Sequence, residues 1–244
     1  MCGIIGYIGH RPAVPILLEG LKRLEYRGYD SAGIAYIQQG KLKIIKSKGK
    51  ISSLEDKVFA NDPLHSTIGI GHTRWATHGV PNEQNAHPHV DSLGEICVVH
   101  NGIIENYAQI KESLIDEGID FASDTDTEVL VHLISKEYNR TGDPLSAIRY
   151  CLNQVQGSYA IGVIFLNRPN ELWAARHSSP LIVGVGVGEN FIGSDIPAFL
   201  PYTKEVIFLE DSEIARLTAH TTNIYSLDKE IEVKKGGSKS SLGY

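Results

Sequence analysis

The residue with the clearest chemical potential stands directly after the initiator methionine, in the opening Met1-Cys2-Gly3. Aminopeptidases remove an initiator methionine when the next residue is small, which would leave Cys2 with both a thiol and a free α-amine. An α-amine has a pKa of about 7.7–8.0, so it can accept the thiol proton near neutral pH. One residue would then supply a nucleophile and its own base. Position alone equally allows a small apolar residue that begins a strand.

Four further polar clusters stand where strands and loops are expected to meet. They are residues 26–33, 71–79, 99–102 and 123–128. Each cluster has a plain structural explanation. Arg74 could form a surface ion pair, Asn101-Gly102 is a common turn dipeptide, and Asp126 could complement a helix dipole. The histidines of the second cluster and of the loop that continues it could simply be loop residues bonded to the backbone. They are His72, His78, His87 and His89.

Taken together with Cys2, these clusters contain the parts of an acyl-transfer site. Cys2 would be the nucleophile. The Asn101 side chain and the Gly102 N–H could hold an oxyanion. Arg74 and Asp126 could bind a carboxylate and an ammonium group, which are the two charges of a free amino acid.

The elements that must position these residues can be read from apolar periodicity and turn residues. Strands are predicted at 3–9, 32–38, 41–48, 67–73, 95–100, 158–166, 171–176, 181–187, 190–194, 205–210, 213–218 and 222–226. A first helix carries Leu17, Leu18, Leu21 and Leu24 on one face and begins at Pro12 or Pro15.

Four more helices are predicted from their capping signals. Their starts are Ser52 with Glu55, Asn106, Thr125 with Glu128, and Asp143-Pro144. The second of these would end at Gly118 and the last at Gly157. Runs of hairpins beside runs of helices favour an α+β architecture with antiparallel sheets.

Composition excludes several classes of protein. The 244 residues are 42% hydrophobic and 21% charged, and the net charge of −6 argues against a nucleic-acid-binding surface. No apolar run is long enough to span a bilayer, and no signal peptide is recognised. Cys2, Cys97 and Cys151 do not make a disulfide framework, and we expect the last two in the core of a cytoplasmic protein. No metal-ligand spacing is present, so neither a metal nor another cofactor is expected.

Six segments of the chain then resemble one family. They are Met1-Cys2-Gly3-Ile4 and the segments RGYDSAG, HTRWATHG, NAHPH, HNGIIEN and SDTDTE, in this order. They are similar to the glutaminase domains of the glutamine–fructose-6-phosphate amidotransferases, which are class II glutamine amidotransferases and N-terminal nucleophile hydrolases. The resemblance implies a four-layer αββα sandwich, in which two antiparallel sheets lie between layers of helices.

The resemblance also implies a role for each matching residue. Cys2 would attack the side-chain amide of L-glutamine while its α-amine moves the proton, and Asn101 and Gly102 would stabilise the oxyanion. Arg74 would bind the substrate α-carboxylate, and Asp126 its ammonium. The loop that closes over glutamine would contain Trp75, Thr77 and His78. Arg27 would support the backbone of the nucleophile from behind. While Met1 remains attached, the Cys2 nitrogen is an amide and cannot act as a base.

The family also sets expectations for the whole protein. Residues 1–233 would be the glutaminase domain, and 234–244 would begin a linker to a C-terminal sugar-phosphate isomerase domain, in a full-length homodimer. Two alternatives remain open at this point. The chain could be the equivalent domain of an amidophosphoribosyltransferase or asparagine synthetase. It could also be a glutamine-binding regulatory module, if Met1 is retained.

Overall fold

A computed structural model describes residues 2–60, 65–76 and 79–228. Within these ranges the chain forms thirteen strands and five α-helices. The strands are β1 (Gly3–Gly9), β2 (Ser31–Gln38), β3 (Lys41–Lys48), β4 (Ile68–Arg74), β5 (His89–Val90), β6 (Ile96–Ile104), β7 (Gly157–Phe165), β8 (Leu172–His177), β9 (Ile182–Val185), β10 (Glu189–Gly193), β11 (Val206–Phe208), β12 (Glu213–Leu217) and β13 (Thr222–Ser226). The helices are α1 (Ala13–Arg23), α2 (Ile51–Phe59), α3 (Tyr107–Asp116), α4 (Glu128–Thr141) and α5 (Pro144–Leu152).

The strands pair into two antiparallel sheets. The first has the order β11-β9-β10-β1-β4-β2-β3, and the second has the order β13-β12-β8-β7-β6-β5. One group of buried apolar side chains lies between the sheets. A second group joins the first sheet to α1 and α2, and a third joins the second sheet to α3, α4 and α5. The layers are therefore helix, sheet, sheet and helix, which confirms the predicted αββα sandwich.

Strand β1 carries the nucleophile candidate at its amino end and lies at the centre of the first sheet, between β10 and β4. Ile4 and Ile8 face the second sheet, whereas Ile5 and Tyr7 pack with the helical layer. Because both faces are covered, the strand reads as an uninterrupted apolar run, as was predicted for 3–9. This central position gives the residue before it a fixed place relative to both sheets.

The early elements agree with the sequence patterns. Helix α1 begins after Pro12, which occupies the N-cap position, and buries its leucine face beneath the first sheet. Strands β2 and β3 form the predicted hairpin, with Gln39 and Gly40 at its tip at φ values of 52° and 69°. Positive φ values at both tip residues are those of a tight turn that matches strand twist.

Two predicted capping boxes are wrong. Helix α2 begins at Ile51, after Lys50, and not at Ser52. Ile51 is fully buried, and the Tyr29 hydroxyl accepts a hydrogen bond from its N–H at 3.0 Å, so packing and a tyrosine set the helix start. The Thr125–Glu128 box also does not form, because the Glu128 carboxylate instead accepts from the N–H groups of Ala122 and Ser123, both at 2.7 Å.

The other helix ends were predicted with mixed success. Asn106 occupies the N-cap position of α3, but its side chain bonds to the backbone of Gln154 and Gln156 instead of capping the helix. Helix α5 begins at Pro144 with Asp143 as its side-chain cap, as predicted. It ends at Leu152 and not at Gly157, because Gly157 already pairs with Ile104 as the first residue of β7.

The predicted boundary between the domain and a linker, at residues 233 and 234, lies outside the described residues and stays a prediction. In the part of the chain that the structure describes, no helix is long and apolar enough to cross a membrane.

Candidate functional site

Cys2 lies at the end of the central strand, where the two sheets approach each other. The register pairs Gly3 with Thr73, so Cys2 lies beside the end of β4 at Arg74. The Cys2 Sγ accepts a hydrogen bond from the Trp75 N–H at 3.3 Å. Burial raises the pKa of the Cys2 thiol, although the Trp75 N–H and the Arg74 charge act in the opposite direction. The thiol is therefore protonated near neutral pH and needs a base before it can attack.

The other two cysteines belong to the core, as predicted. Cys97 and Cys151 are both fully buried, and burial raises the pKa of each thiol. Cys2 is the one cysteine of the three that is partly accessible. Cys2 therefore stays the candidate nucleophile among the three.

Asn101 contacts Cys2 from the second sheet, near the end of β6, and Gly102 follows Asn101 in the same strand. The Asn101 Nδ2 donates to the Cys2 backbone oxygen at 3.3 Å, and Asn101 is 7% exposed. Gly102 has a φ of 126°, and a Cβ at this position would lie 2.0 Å from the Ser158 oxygen. Only glycine fits there, so the backbone can turn its amide beside Asn101 without a side chain in the way.

Arg74 is a buried cation that interacts electrostatically with both Cys2 and the buried anion Asp126. Arg74 is 4% exposed, and its Nη2 donates to the Gly79 oxygen at 3.4 Å. Burial lowers the pKa of its guanidinium, while Asp30, Cys2 and Asp126 act on it in the opposite direction. Asp126 is 5% exposed, and its Oδ2 accepts from the Ile104 N–H at 2.8 Å. A cation and an anion held close to a nucleophile complement a zwitterionic amino acid.

Trp75 is the described part of the predicted closing loop. Its side chain is 54% exposed, and its ring packs against Gly28, where a Cβ would lie 2.9 Å from the ring. Thr77 and His78 lie outside the described residues, so their predicted contacts with substrate stay predictions.

Arg27 is linked to strand β1 through Ser194, the residue that directly follows β10. Its Nη1 donates to the Ser194 oxygen at 3.3 Å and lies 3.7 Å from the Asp195 Oδ2. The Ser194 hydroxyl in turn accepts from the Ile4 N–H at 3.0 Å. Arg27 therefore bonds Ser194, and Ser194 bonds Ile4, which lies two residues after Cys2. This position is compatible with the predicted supporting role, which stays a prediction.

Asp30 has a structural role that was not predicted from the sequence. Its N–H donates to the Arg74 oxygen at 2.8 Å, and its Oδ2 accepts from the Ala76 N–H at 2.6 Å. The residue therefore clamps the backbone on both sides of Trp75, whose own N–H bonds the thiol. The only signal in the sequence was its place in the RGYDSAG segment.

Four buried histidines form a second feature that the sequence did not reveal. His72 lies within β4, His89 within β5 and His100 within β6, so the loop interpretation of His72 and His89 is wrong. His87 precedes β5 and is also buried. Burial lowers the pKa of all four imidazoles, that of His72 to about 3. All four are neutral at physiological pH.

These histidines predict a pH dependence of stability. Their pKa values are lowered in the folded state, so the unfolded chain binds more protons once the pH falls below about 6.5. Stability is therefore full above that pH and is lost as the pH falls. At pH 5, His72, whose folded pKa is about 3, should by itself reduce the free energy of unfolding by about 2 kcal/mol relative to pH 7.5.

Urea unfolding at pH 7.5 and pH 5.0 measures this loss. Glu128 has a pKa lowered to about 2 by hydrogen bonds from His132 and Ser123 that outweigh burial, so it does not titrate in this window. A His87→Gln variant is the control, because it should lose less stability between the two pH values than the parent. Equal unfolding midpoints at both pH values would contradict buried neutral histidines.

In the described part of the chain, no group of three or more His, Cys, Asp or Glu side chains is arranged to hold a metal ion.

Comparisons with known proteins agree with this arrangement. A family profile described as a glutamine amidotransferase domain matches residues 72–201. A curated relative from Aquifex aeolicus, named glutamine–fructose-6-phosphate aminotransferase (isomerizing), is 56% identical over 94% of this chain. A relative of the same name from Caldanaerobacter subterraneus subsp. tengcongensis is 57% identical over 88% of this chain. The chain spans only 38% and 35% of the lengths of these two relatives.

A solved structure shares the fold over nearly the whole chain. It is the glutamine phosphoribosylpyrophosphate amidotransferase of B. subtilis in complex with ADP and GMP, with a TM-score of 0.77 and 27% identity. The match covers 94% of this chain and 50% of that one. The match of the family profile, the sandwich fold and the grouping of Cys2 with Asn101 lead to one conclusion: the chain belongs to the glutamine amidotransferase domain family.

Proposed function

We propose that this chain hydrolyses L-glutamine to glutamate and ammonia through a thioester on Cys2. The observation that carries the proposal is the approach of the Asn101 Nδ2, from the second sheet, to within 3.3 Å of the Cys2 oxygen on the first. It brings an amide donor to the backbone of the residue whose thiol is bonded to the Trp75 N–H. A nucleophile with a hydrogen-bond donor beside it is the minimum required for acyl transfer.

The first half-reaction forms the thioester. Once Met1 is removed, the Cys2 α-amine accepts the thiol proton, and the Sγ attacks the side-chain amide carbon of glutamine. The carbonyl oxygen becomes an oxyanion, which Asn101 Nδ2 and the Gly102 N–H stabilise. As the oxyanion collapses, the C–N bond breaks, and ammonia leaves with the proton that the α-amine returns.

The second half-reaction regenerates the enzyme. Water loses a proton to the same α-amine and attacks the thioester carbon through the same oxyanion. The C–S bond breaks, glutamate leaves, and Cys2 recovers its proton. Closure of the segment that contains Trp75, Thr77 and His78 would exclude bulk water while ammonia is transferred.

Substrate recognition is proposed to rest on Arg74 and Asp126. Arg74 would bind the α-carboxylate in a two-pronged geometry, and Asp126 would accept from the α-ammonium. Support comes from their burial, at 4% and 5% exposure, because a charge removed from water interacts strongly with a matching charge.

A pair of truncated substrates tests these two assignments. Arg74→Ala should lower kcat/KM for glutamine by about 10- to 100-fold, through loss of a charged hydrogen bond. With 4-aminobutanamide, which is glutamine without its α-carboxylate, the same variant should show little further loss. Asp126→Ala should behave in the same way toward glutaramate, which lacks the α-amine.

Each variant is the control for the other in this experiment. Arg74→Ala should still discriminate against glutaramate, and Asp126→Ala should still discriminate against 4-aminobutanamide. If Arg74→Ala costs as much with 4-aminobutanamide as with glutamine, Arg74 does not contact the carboxylate and its role is structural.

In the longer protein, we propose that the ammonia passes to fructose-6-phosphate, which is converted to glucosamine-6-phosphate. Support comes from the names of relatives that are 56% and 57% identical, compared with 27% for the phosphoribosylpyrophosphate amidotransferase. The proposed partner is a C-terminal sugar-phosphate isomerase domain, and the proposed assembly is a homodimer. A cytoplasmic location is proposed because the three cysteines are free thiols.

A further inference from the structure

We infer that His72 is a positioning residue for glutamine hydrolysis, because it holds the Asn101 amide with its NH₂ group directed toward Cys2. The inference rests on the proposed function. It assigns to a buried histidine of β4 the orientation of the donor that stabilises the oxyanion.

The need for such a residue follows from the symmetry of an amide side chain. The two ends of the Asn101 amide have similar size, but only the nitrogen can donate a hydrogen bond. Rotation by half a turn would replace the donor beside Cys2 with an oxygen, which repels an oxyanion. A partner that accepts only one orientation therefore contributes to catalysis by keeping the donor directed toward Cys2.

The structure provides that partner. The His72 Nε2 lies 2.8 Å from the Asn101 Oδ1, while the Asn101 Nδ2 donates to the Cys2 oxygen at 3.3 Å. Because the amide oxygen can only accept, the network assigns the imidazole proton to Nε2. The two contacts lie at opposite ends of one amide. When the His72 N–H donates to the Asn101 oxygen, the Asn101 NH₂ group is therefore directed toward Cys2.

Burial keeps this arrangement in one protonation state. His72 is fully buried, and burial lowers its pKa to about 3, so the ring is neutral throughout the physiological range. A neutral imidazole carries a single N–H, which His72 uses on Asn101. The residue consequently directs the amide without placing a positive charge beside the thiol.

Neighbouring histidines fix the ring itself. The His72 ring stacks on His87, with centroids 4.2 Å apart and an interplanar angle of 25°. The His87 Nδ1 accepts from the His100 N–H at 3.4 Å, and His100 directly precedes Asn101. His87 therefore supports both the His72 ring, which orients the amide, and the backbone that carries Asn101.

A third contact links this support to the proposed ammonium site. The His100 Nδ1 lies 2.8 Å from the Thr127 Oγ1, next to Asp126 at the start of α4. Loss of His72 should leave this link intact, because it runs through a different ring. We therefore expect the removal of His72 to lower kcat more than it raises KM.

The test is a double-mutant cycle between His72 and Asn101. In the wild-type background, His72→Leu should lower kcat by about 10- to 100-fold, and KM for glutamine should change by less than about threefold. In an Asn101→Ala background, which should itself lose about 10²- to 10³-fold, His72→Leu should cost less than about threefold. His72→Gln should recover much of kcat, since its amide nitrogen can donate to the Asn101 oxygen.

The matched control is His89→Gln, at a buried histidine of the same group that bonds Thr125 and not Asn101. It should keep kcat within about threefold of wild type, and thermal unfolding of every variant would show whether the fold is retained.

Equal losses from His72→Leu in both backgrounds would overturn the inference and leave the proposed function standing. An unchanged kcat in Asn101→Ala would overturn both the oxyanion assignment and the role of His72. If His72→Leu does not fold, a His72→Gln variant with wild-type stability and a kcat as low as that of Asn101→Ala would overturn the inference.

Discussion

Replacing Cys2 by alanine is expected to reduce glutamine hydrolysis by at least about 10⁴-fold, as loss of a nucleophile does in other enzymes. The thiol accepts from the Trp75 N–H, and the Asn101 Nδ2 donates to the backbone oxygen of the same residue, so alanine removes the nucleophile and leaves both donors in place. Ammonia and glutamate should be measured together, since a true hydrolysis releases them in equal amounts.

Cys97→Ala is the matched control for this experiment. Cys97 is fully buried and lies in the core between the sheets, so the variant should retain turnover even if it loses some stability. Thermal unfolding of Cys2→Ala should resemble that of wild type, because Cys2 is only partly buried. Equal ammonia release from wild type and Cys2→Ala would remove Cys2 from the mechanism.

Blocking the α-amine of Cys2 is expected to have an effect nearly as large. A chain that retains Met1, or carries a tag before Cys2, has an amide nitrogen that cannot accept a proton. Burial raises the pKa of the thiol, so little thiolate forms without that base. Loss of a general base costs about 10²- to 10⁴-fold, and crowding by the extra residues should add to this.

A cleavable tag provides the control within one preparation. Intact mass should establish the first residue of the chain before and after cleavage, and only the chain that begins at Cys2 should hydrolyse glutamine. Near-normal turnover by a chain proven to keep its tag would mean that another group accepts the thiol proton.

The sequence predicted most of the fold because its strands are local patterns. The hairpin of β2 and β3 depends on two short strand segments joined through Gly40, all adjacent in the chain. The two capping boxes failed because a distant group or a preceding segment competed for the same atoms. Tyr29 bonds the N–H of Ile51, and Glu128 bonds the segment before it instead of capping its own helix.

The candidate site was predictable as a set of residues but not as a network. Six short segments supplied the nucleophile, the amide and both charges. The contacts that orient them join residues far apart in the chain, such as His72 with Asn101 and Asp30 with Ala76. Such pairs have no local signature, because the packing of one sheet on the other joins the first pair and the pairing of β2 with β4 joins the second. The catalytic and binding roles of all these residues, including Thr77 and His78, stay predictions.

Interception of the thioester by hydroxylamine tests the central claim most directly. A γ-glutamyl thioester on Cys2 should react with hydroxylamine to give γ-glutamyl hydroxamate, with release of the thiol. We predict that, as hydroxylamine is increased, hydroxamate replaces glutamate among the products while ammonia continues to be released in an amount equal to their sum. Cys2→Ala should form no hydroxamate above the uncatalysed rate. Glutamate as the sole product at high hydroxylamine, with undiminished ammonia release, would contradict a thioester intermediate on Cys2.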